Sequence, residues 1–475
     1  MITLSRFALL LSGSALLAGC NMAPKYVRPV PPVPAETPAG PAYVAPAAQD
    51  AVTVTGETAW SAFFTDERLR SVIRTALENN RDLRVAVANV EQARAQYRVQ
   101  RADIFPTLGA NGSATYQDTP FAAGGTGGGG VAGRIDIYTA SVGVSSWEID
   151  LFGRVRNLSE AARQQFFASQ ENRNAAQVAL VAEVATAWLT MAADQERLRI
   201  AQDTEAAFRQ TLDLTTARFN AGIASELDVR QARTSFDQAQ SDKADATTLV
   251  AQDQNALNLL AGTTLDAAVL PAALEEKGAT LAGLPANLPA EVLLKRPDVA
   301  AAEHQLIAAN ANIGAARAAF FPKLSLTAAF GTISTALSGL FDKGSDYWSV
   351  APSATMPIFD FGRNAGNLKY AKATRDAAVA QYEKAVQSAF REVADALARR
   401  GTIDTQIAAQ TSLRDNAQAA YHLSEARFRA GIDPFLTTLD SQRSFYTAQR
   451  SLLASRLVKE SNAVSLYRAL GGGLM

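Results

Sequence analysis

The sequence predicts a mixed, predominantly α fold: a long α-helical barrel continuous with a membrane β-barrel, four strands per chain, built from an internal two-fold repeat. Three observations predict it. The heptapeptide Ala217-Arg218-Phe219-Asn220-Ala221-Gly222-Ile223 recurs as Ala426-Arg427-Phe428-Arg429-Ala430-Gly431-Ile432, matching at six of seven positions 209 residues later. Paired runs of alternating apolar and polar residues occur in each half of the chain, near the length of about 9 to 11 residues that a tilted membrane strand needs. A proline-free helical pattern runs from Val155 to Phe219, long enough for about 98 Å of helix.

Composition narrows the function classes. The 475 residues carry a formal net charge of -1, so no global basic field points to nucleic acid. Cys20 is the only cysteine, and the two histidines, His304 and His422, lie far apart. That excludes an internal disulfide framework and a cysteine zinc cluster, and no metal or cofactor is expected. The glycine run 124–130 lacks the lysine and flanking elements of a phosphate loop. No Ser-His-Asp or paired-carboxylate arrangement stands out, so no enzyme is expected and no catalytic residue is assigned.

At the N-terminus, Arg6 precedes the apolar run Phe7–Ala18 and the small residues before Cys20. This is the layout of a signal peptide, residues 1–19. Leu17-Ala18-Gly19-Cys20 is similar to a bacterial lipobox, which implies cleavage before Cys20 and its acylation there (palmitate among the chains). Several acyl chains anchor a protein stably where one does not. Residues 24–46 hold eight prolines, which exclude helix and central strand, so 20–60 reads as a lipidated, extended tether.

A helix is expected over 67–105, ended by Pro106. Leu108, Ala110, Ala114 and Tyr116 then oppose Asn111, Ser113 and Thr115; Tyr138, Ala140, Val142 and Val144 oppose Thr139, Ser141, Gly143 and Ser145. Around the glycine-rich loop these form a β-hairpin. Phe152-Gly153-Arg154 closes it and the long helix follows. Its alanines, among them Ala161, Ala168, Ala175, Ala182 and Ala192, allow close helix packing. Glycine at Gly222 suits the left-handed position that ends a helix, and helix resumes over Glu226–Ala261. Residues 263–290 form a linker, and the pattern then repeats. Arg317 and Phe321-Pro322 align with Arg101 and Phe105-Pro106 at an offset of 216; Phe361-Gly362-Arg363 aligns with Phe152-Gly153-Arg154 at 209. The first repeat spans 61–262 and the second 291–475. The strands are expected at about 107–117, 137–149, 323–331 and 347–357, the last interrupted by Pro352. Four strands leave two open edges, which lipid does not tolerate. Closure takes at least about eight strands, so the chain must oligomerise: three copies give twelve.

These motifs carry a resemblance. Trp60-x-x-Phe63-x-x-Asp66 leading to Asn79-Asn80-x-Asp82-Leu83, Trp147 through Arg154, Leu293-x-x-Arg296-Pro297-Asp298-Val299 with Ala302-Glu303, and both tip heptapeptides resemble the TolC-like outer-membrane factors, in their lipoprotein (NodT-type) branch. The resemblance implies a homotrimer in the outer membrane with a periplasmic helical tunnel. It implies two further partners, a periplasmic adaptor and an inner-membrane transporter of the resistance-nodulation-division type. The function implied is passive efflux of drugs or other small toxic compounds; secretion and metal efflux share the fold. The adaptor would meet the tips at Arg218, Gly222, Arg427 and Gly431.

The gate is carried over residue by residue. Leu436, Asp440 and Arg443 stand at i, i+4 and i+7, on one helical face, and in the family matching Leu and Asp positions narrow the periplasmic end. Three copies of Asp440 would form a ring of repelling carboxylates. Asp228 is a further candidate, as are Arg427 and Arg429, because Phe428 stands where the family often has a hydroxyl-bearing Tyr. The residues by themselves also fit an exposed Asp-Arg pair, a soluble hairpin packed on helices, and a pore-less periplasmic coiled-coil lipoprotein.

Overall fold

The computed structural model describes residues 21–34, 38–43, 59–119, 133–274 and 290–472. The signal peptide, Cys20 and the glycine-rich loop lie outside them. The helices are α1 (Trp60–Phe63), α2 (Glu67–Asn79), α3 (Arg81–Ala102), α4 (Arg154–Asn220), α5 (Glu226–Ala261), α6 (Pro297–Ala318), α7 (Arg363–Arg429) and α8 (Phe435–Ala469). The strands are β1 (Leu108–Thr119), β2 (Gly133–Ile149), β3 (Lys323–Ser334) and β4 (Asp346–Thr355). The fold class is the expected one, mostly long helices with one four-stranded sheet. Helices α4 and α7 each hold 67 residues and start and stop at the same offset of 209. The chain divides into two compact units: residues 1–29, 90–169 and 302–382, and residues 30–89, 170–301 and 383–475.

The first unit holds the sheet, with strand order β1-β2-β3-β4 and every pair antiparallel. The central pair, β2 with β3, joins the two repeats, and β1 and β4 are the edges. The register stacks like with like. Ala110 faces Val142, Val142 faces Phe330, and Phe330 faces Trp348, so one face is an apolar row across four strands. The opposite face runs Asn111, Ser141, Gly331, Tyr347, and its hydroxyls pair across strands, Ser113 with Thr139 and Ser325 with Ser353, both at 2.7 Å. A bulge between Val144 and Trp147, with Ser146 at a φ of 51°, inserts one residue. Strict alternation from Val144 would put Trp147 on the polar face; the extra residue turns Trp147 and Ile149 to the apolar side, opposite Leu326 and Leu324. Pro352 does not interrupt β4, as the sequence suggested: it pairs with Leu326, and an edge strand tolerates the missing donor.

The tether is extended, as its prolines require, but over residues 21–28 it is bound rather than free. It runs antiparallel along α6. Arg317 donates to the Met22 carbonyl at 3.2 Å and Asn310 to that of Pro24 at 2.7 Å. Tyr26 donates to Glu303 at 3.0 Å, and Arg28 binds both oxygens of Glu303 at 2.7 and 2.9 Å. Asn21 accepts from Asn157 on α4 at 2.9 Å. Gly314 makes room for this strap: a Cβ there would lie 2.7 Å from the Ala23 nitrogen and 2.6 Å from Asn157 Nδ2. The matching residues of α3, at the offset of 216, are Val87, Arg94, Arg98 and Arg101, so only the second repeat has the seat. Gly314→Val is therefore expected to expel the strap and leave the sheet intact. Trypsin would then cut after Lys25 within minutes where the wild type resists; equal cleavage rates would refute the seat.

In the second unit the expected single helix over 67–105 is broken at Asn80. Its side chain accepts from Leu83 N at 2.9 Å, capping α3, and donates to the Leu260 carbonyl at 2.9 Å. The break follows from burial: α2 points Leu69, Val72, Ile73 and Ala76 into the core, whereas Val85 and Val87 of α3 are exposed. Gly262, at a φ of 68°, ends α5 so close to α2 that a Cβ would sit 2.4 Å from the Asn79 carbonyl oxygen. Phe63 stacks on Tyr467 of α8 at 4.3 Å. Arg296 is buried and fully used: it binds Asp298 twice, Glu392 of α7 at 2.9 Å, and the Ala469 carbonyl that ends α8 at 2.6 Å. Burial pushes the Asp298 carboxyl up, but the Arg296 hydrogen bonds outweigh it and hold it below the usual range.

Candidate functional site

Both heptapeptides form the same turn. Gly222 and Gly431 have φ of 73° and 77°. Ile223 N donates to the Arg218 carbonyl and Gly222 N to that of Phe219, at 2.8 and 2.9 Å; Ile432 N donates to Arg427 and Gly431 N to Phe428, at 2.9 and 3.0 Å. These paired bonds are the Schellman end of a helix. Nothing lies within 4 Å of a Cβ at either glycine, so the positive φ alone demands it.

The side chains of the two turns differ. Arg218 donates to the Phe428 carbonyl at 3.1 Å and its guanidinium lies 4.6 Å from the Phe428 ring centroid. Arg427 instead pairs with Asp433 at 2.6 and 2.8 Å, where the first repeat has Ala224. That hydrogen bond holds the Asp433 carboxyl below its ordinary value. Arg429 pairs with Glu425 at 2.7 Å. Asp228 belongs to a capping box: its carboxylate accepts from Ser225 N and Oγ while Ser225 Oγ accepts from Asp228 N. The spacing Ser225-x-x-Asp228 is a cap signature readable in the sequence itself.

Behind the turns lies an apolar cluster of Phe208, Ala232, Phe236, Ala239, Phe428, Phe435 and Leu439. Phe428 is 6% exposed and Phe219, its counterpart, 41%. The cluster takes one side of α8, with Thr438 and Gln442 also buried. It leaves Leu436, Asp440 and Arg443 together on the exposed side. Arg443 reaches Ser235 of α5 at 3.1 Å. Among the described residues Asp440 makes no hydrogen bond or ion pair. Its gate companions Arg427, Arg429 and Asp228 are engaged within their own turns, so the chain does not bring them to Asp440.

Further along the arm, Asp253 of α5 meets Asp194 of α4. Burial, then the Asp194 charge and hydrogen bond, pushes the Asp253 carboxyl up to about 6 from 3.8. Arg197 lies 3.9 Å from Asp194 but is committed to Asp245 at 2.9 Å. At Asp253 the folded chain holds an extra proton between about pH 4 and 6, so the contribution of this pair to stability is greatest below that window and falls as pH rises through it. Asp253→Asn should raise the melting temperature at pH 7.5 and leave it unchanged at pH 4. A variant no more stable than wild type at pH 7.5 would contradict the pairing.

Comparison with known proteins gives a consistent picture. The sequence profile of the outer membrane efflux protein family matches residues 72–263 and 288–472, one segment per repeat. The probable efflux pump outer membrane protein TtgC of Pseudomonas putida is 45% identical over 458 residues, covering 96% of this chain and 93% of the relative. A membrane protein of Pseudomonas aeruginosa of known crystal structure superposes with a TM-score of 0.87 at 40% identity, covering 96% of this chain and 98% of that one. The open state of the Neisseria gonorrhoeae outer membrane channel MtrE does so with a TM-score of 0.83 at 39% identity, covering 96% and 99%.

Proposed function

The chain belongs to the outer membrane efflux protein family, and we propose that it is the exit duct of a three-part pump, assembled as a homotrimer whose twelve strands close one barrel. The observation that carries this reading is the sheet: four antiparallel strands, one apolar face, and two edges left unpaired in the single chain. Two such edges in lipid would strand rows of backbone donors and acceptors at several kcal/mol each. Further copies of the same chain supply their partners. The apolar rows then face lipid, and the Ser-, Thr- and Gly-rich face lines an aqueous lumen.

Transport is passive, through an outer-membrane pore continued by a periplasmic tunnel of helices. Energy comes from an inner-membrane transporter of the resistance-nodulation-division type, joined through a periplasmic adaptor that docks on Arg218, Gly222, Arg427 and Gly431. Acylated Cys20 anchors the chain in the outer-membrane lipid. Leu436, Asp440 and Arg443 narrow the tunnel mouth, with Asp228, Arg427 and Arg429 shaping the turns around it. The cargo class is drugs and other small toxic compounds. Single-channel recording in planar bilayers tests the duct: a small, cation-preferring conductance is expected, and a correctly folded trimer without conductance would sink the reading.

A further inference from the structure

Glu303 on α6 serves two tyrosines unequally. Tyr26 of the strap donates to its Oε1 at 3.0 Å, and Arg28 binds Oε1 and Oε2 at 2.7 and 2.9 Å. The other tyrosine, Tyr382, comes from α7. It is 0% exposed, and its hydroxyl makes no hydrogen bond among the described residues. Burial and then the Glu303 charge push that hydroxyl above its ordinary value, so carboxylate and phenol lie within electrostatic range of each other. A buried hydroxyl without a partner has given up its bonds to water and received none in return. Folded proteins hold few such groups. This one stands near a carboxylate whose two oxygens are both held by a surface segment, with the Arg28 side chain 53% exposed. Only the second repeat has this arrangement. At the offsets of 216 and 209, Val87 and Arg173 stand where the second repeat has Glu303 and Tyr382, so carboxylate and hydroxyl are absent together from the repeat that has no strap.

We infer that the strap is a releasable latch, with Tyr26 and Tyr382 as alternative donors to Glu303. Seated, the strap holds the carboxylate and leaves the Tyr382 hydroxyl unpaired. Lifted, it yields the carboxylate to Tyr382, so release strands neither a charge on α6 nor a hydroxyl on α7. Tyr382 thus raises the free energy of the seated form and lowers that of the released one, and the seat is built to be vacated. Two tether lengths result. Seated, Asn21 is fixed to Asn157 of α4. Released, residues 21–28 add up to about 28 Å of reach at the full extension of a chain. Every group involved belongs to one chain, so the latch does not depend on the duct or on the number of copies.

Trypsin cleavage after Lys25, in the full chain folded in detergent, reads the released population, because cleavage of a native protein follows the opening that exposes the bond. Tyr382→Phe removes the stranded hydroxyl and is expected to slow cleavage about tenfold. Tyr26→Phe removes a bond of the seated strap and is expected to speed it about tenfold. The two effects are coupled through Glu303. With Tyr26→Phe the carboxylate has an acceptor site open to Tyr382 even while the strap is seated, so adding Tyr382→Phe should then change the rate by less than about twofold. Tyr382→Phe cleaved as fast as the wild type, or faster, overturns the latch. Equal slowing by Tyr382→Phe in both backgrounds overturns the sharing of Glu303. Should Tyr382→Phe not fold, Tyr26→Phe decides alone: wild-type cleavage there means that Glu303 does not hold the strap through Tyr26, and the latch is wrong.

Discussion

Gly143→Ala and Gly331→Ala are each expected to block formation of the sheet. A Cβ at Gly143 would lie 2.1 Å from the Ala328 carbonyl oxygen and 2.8 Å from the Ala329 Cα; at Gly331 it would lie 2.1 Å from the Ala140 carbonyl oxygen. Both obstacles are backbone of the neighbouring strand in the central pair, so no rotamer change relieves them. Overpacking of this kind costs about 3 kcal/mol or more, roughly two orders of magnitude in the folded population. Gly112→Ala is the control, because its Cβ would stand 4.0 Å from the nearest atom, the Thr139 carbonyl oxygen. The readout is the fraction of outer-membrane protein that resists urea extraction. It should collapse for the first two variants and hold for the third; equal yields would mean that β2 and β3 do not approach as described.

Removing the charges on the exposed face of α8 should open the duct. On the gate proposed above, Asp440→Ala deletes its ring of carboxylates, and Arg443→Ala releases α8 from Ser235 of α5. The buried side of α8, with Phe435, Leu439 and Gln442, is untouched, so the helix keeps its place. The double variant is expected to conduct severalfold more in planar bilayers than the wild type. Asp228→Asn serves as the contrast: it weakens a capping box, which costs about 1 kcal/mol of local stability, and leaves conductance nearly unchanged. Wild-type conductance in the double variant would refute the gate.

Much of the fold was legible because local rules sufficed. Gly222 and Gly431 announce positive φ, and Leu108 through Tyr116 alternate because a sheet with two unlike faces writes its period into the chain. Asn80 was not legible: it sits inside an unbroken apolar period, and only packing of α2 against α5 decides that the helix must stop there. The bulge at Ser146 is a one-residue slip of parity that takes on meaning only once β3 is alongside. Glu303, Asn310, Gly314 and Arg317 fall on one stripe at spacings of 7, 4 and 3, but a stripe names no occupant. At the candidate gate, helical spacing alone put Leu436, Asp440 and Arg443 on one face. The commitments of Arg427 and Asp228 depend on Asp433 and Ser225, and of these only the Ser225 cap had a readable pattern.

The strap has a consequence for the order of events in folding. Its hydrogen bonds to α6 join residues 275 to 295 positions apart, among the longest loops the chain closes. Residues 21–28 are synthesised ahead of both repeats, yet their seat on α6 does not exist until the whole first repeat and the first helix of the second have been made. Closing so long a loop is slow and gains nothing until both ends are ordered. A segment made before either repeat therefore waits for the second repeat to begin before it can find its place, and a chain truncated after the first repeat has nowhere to put it.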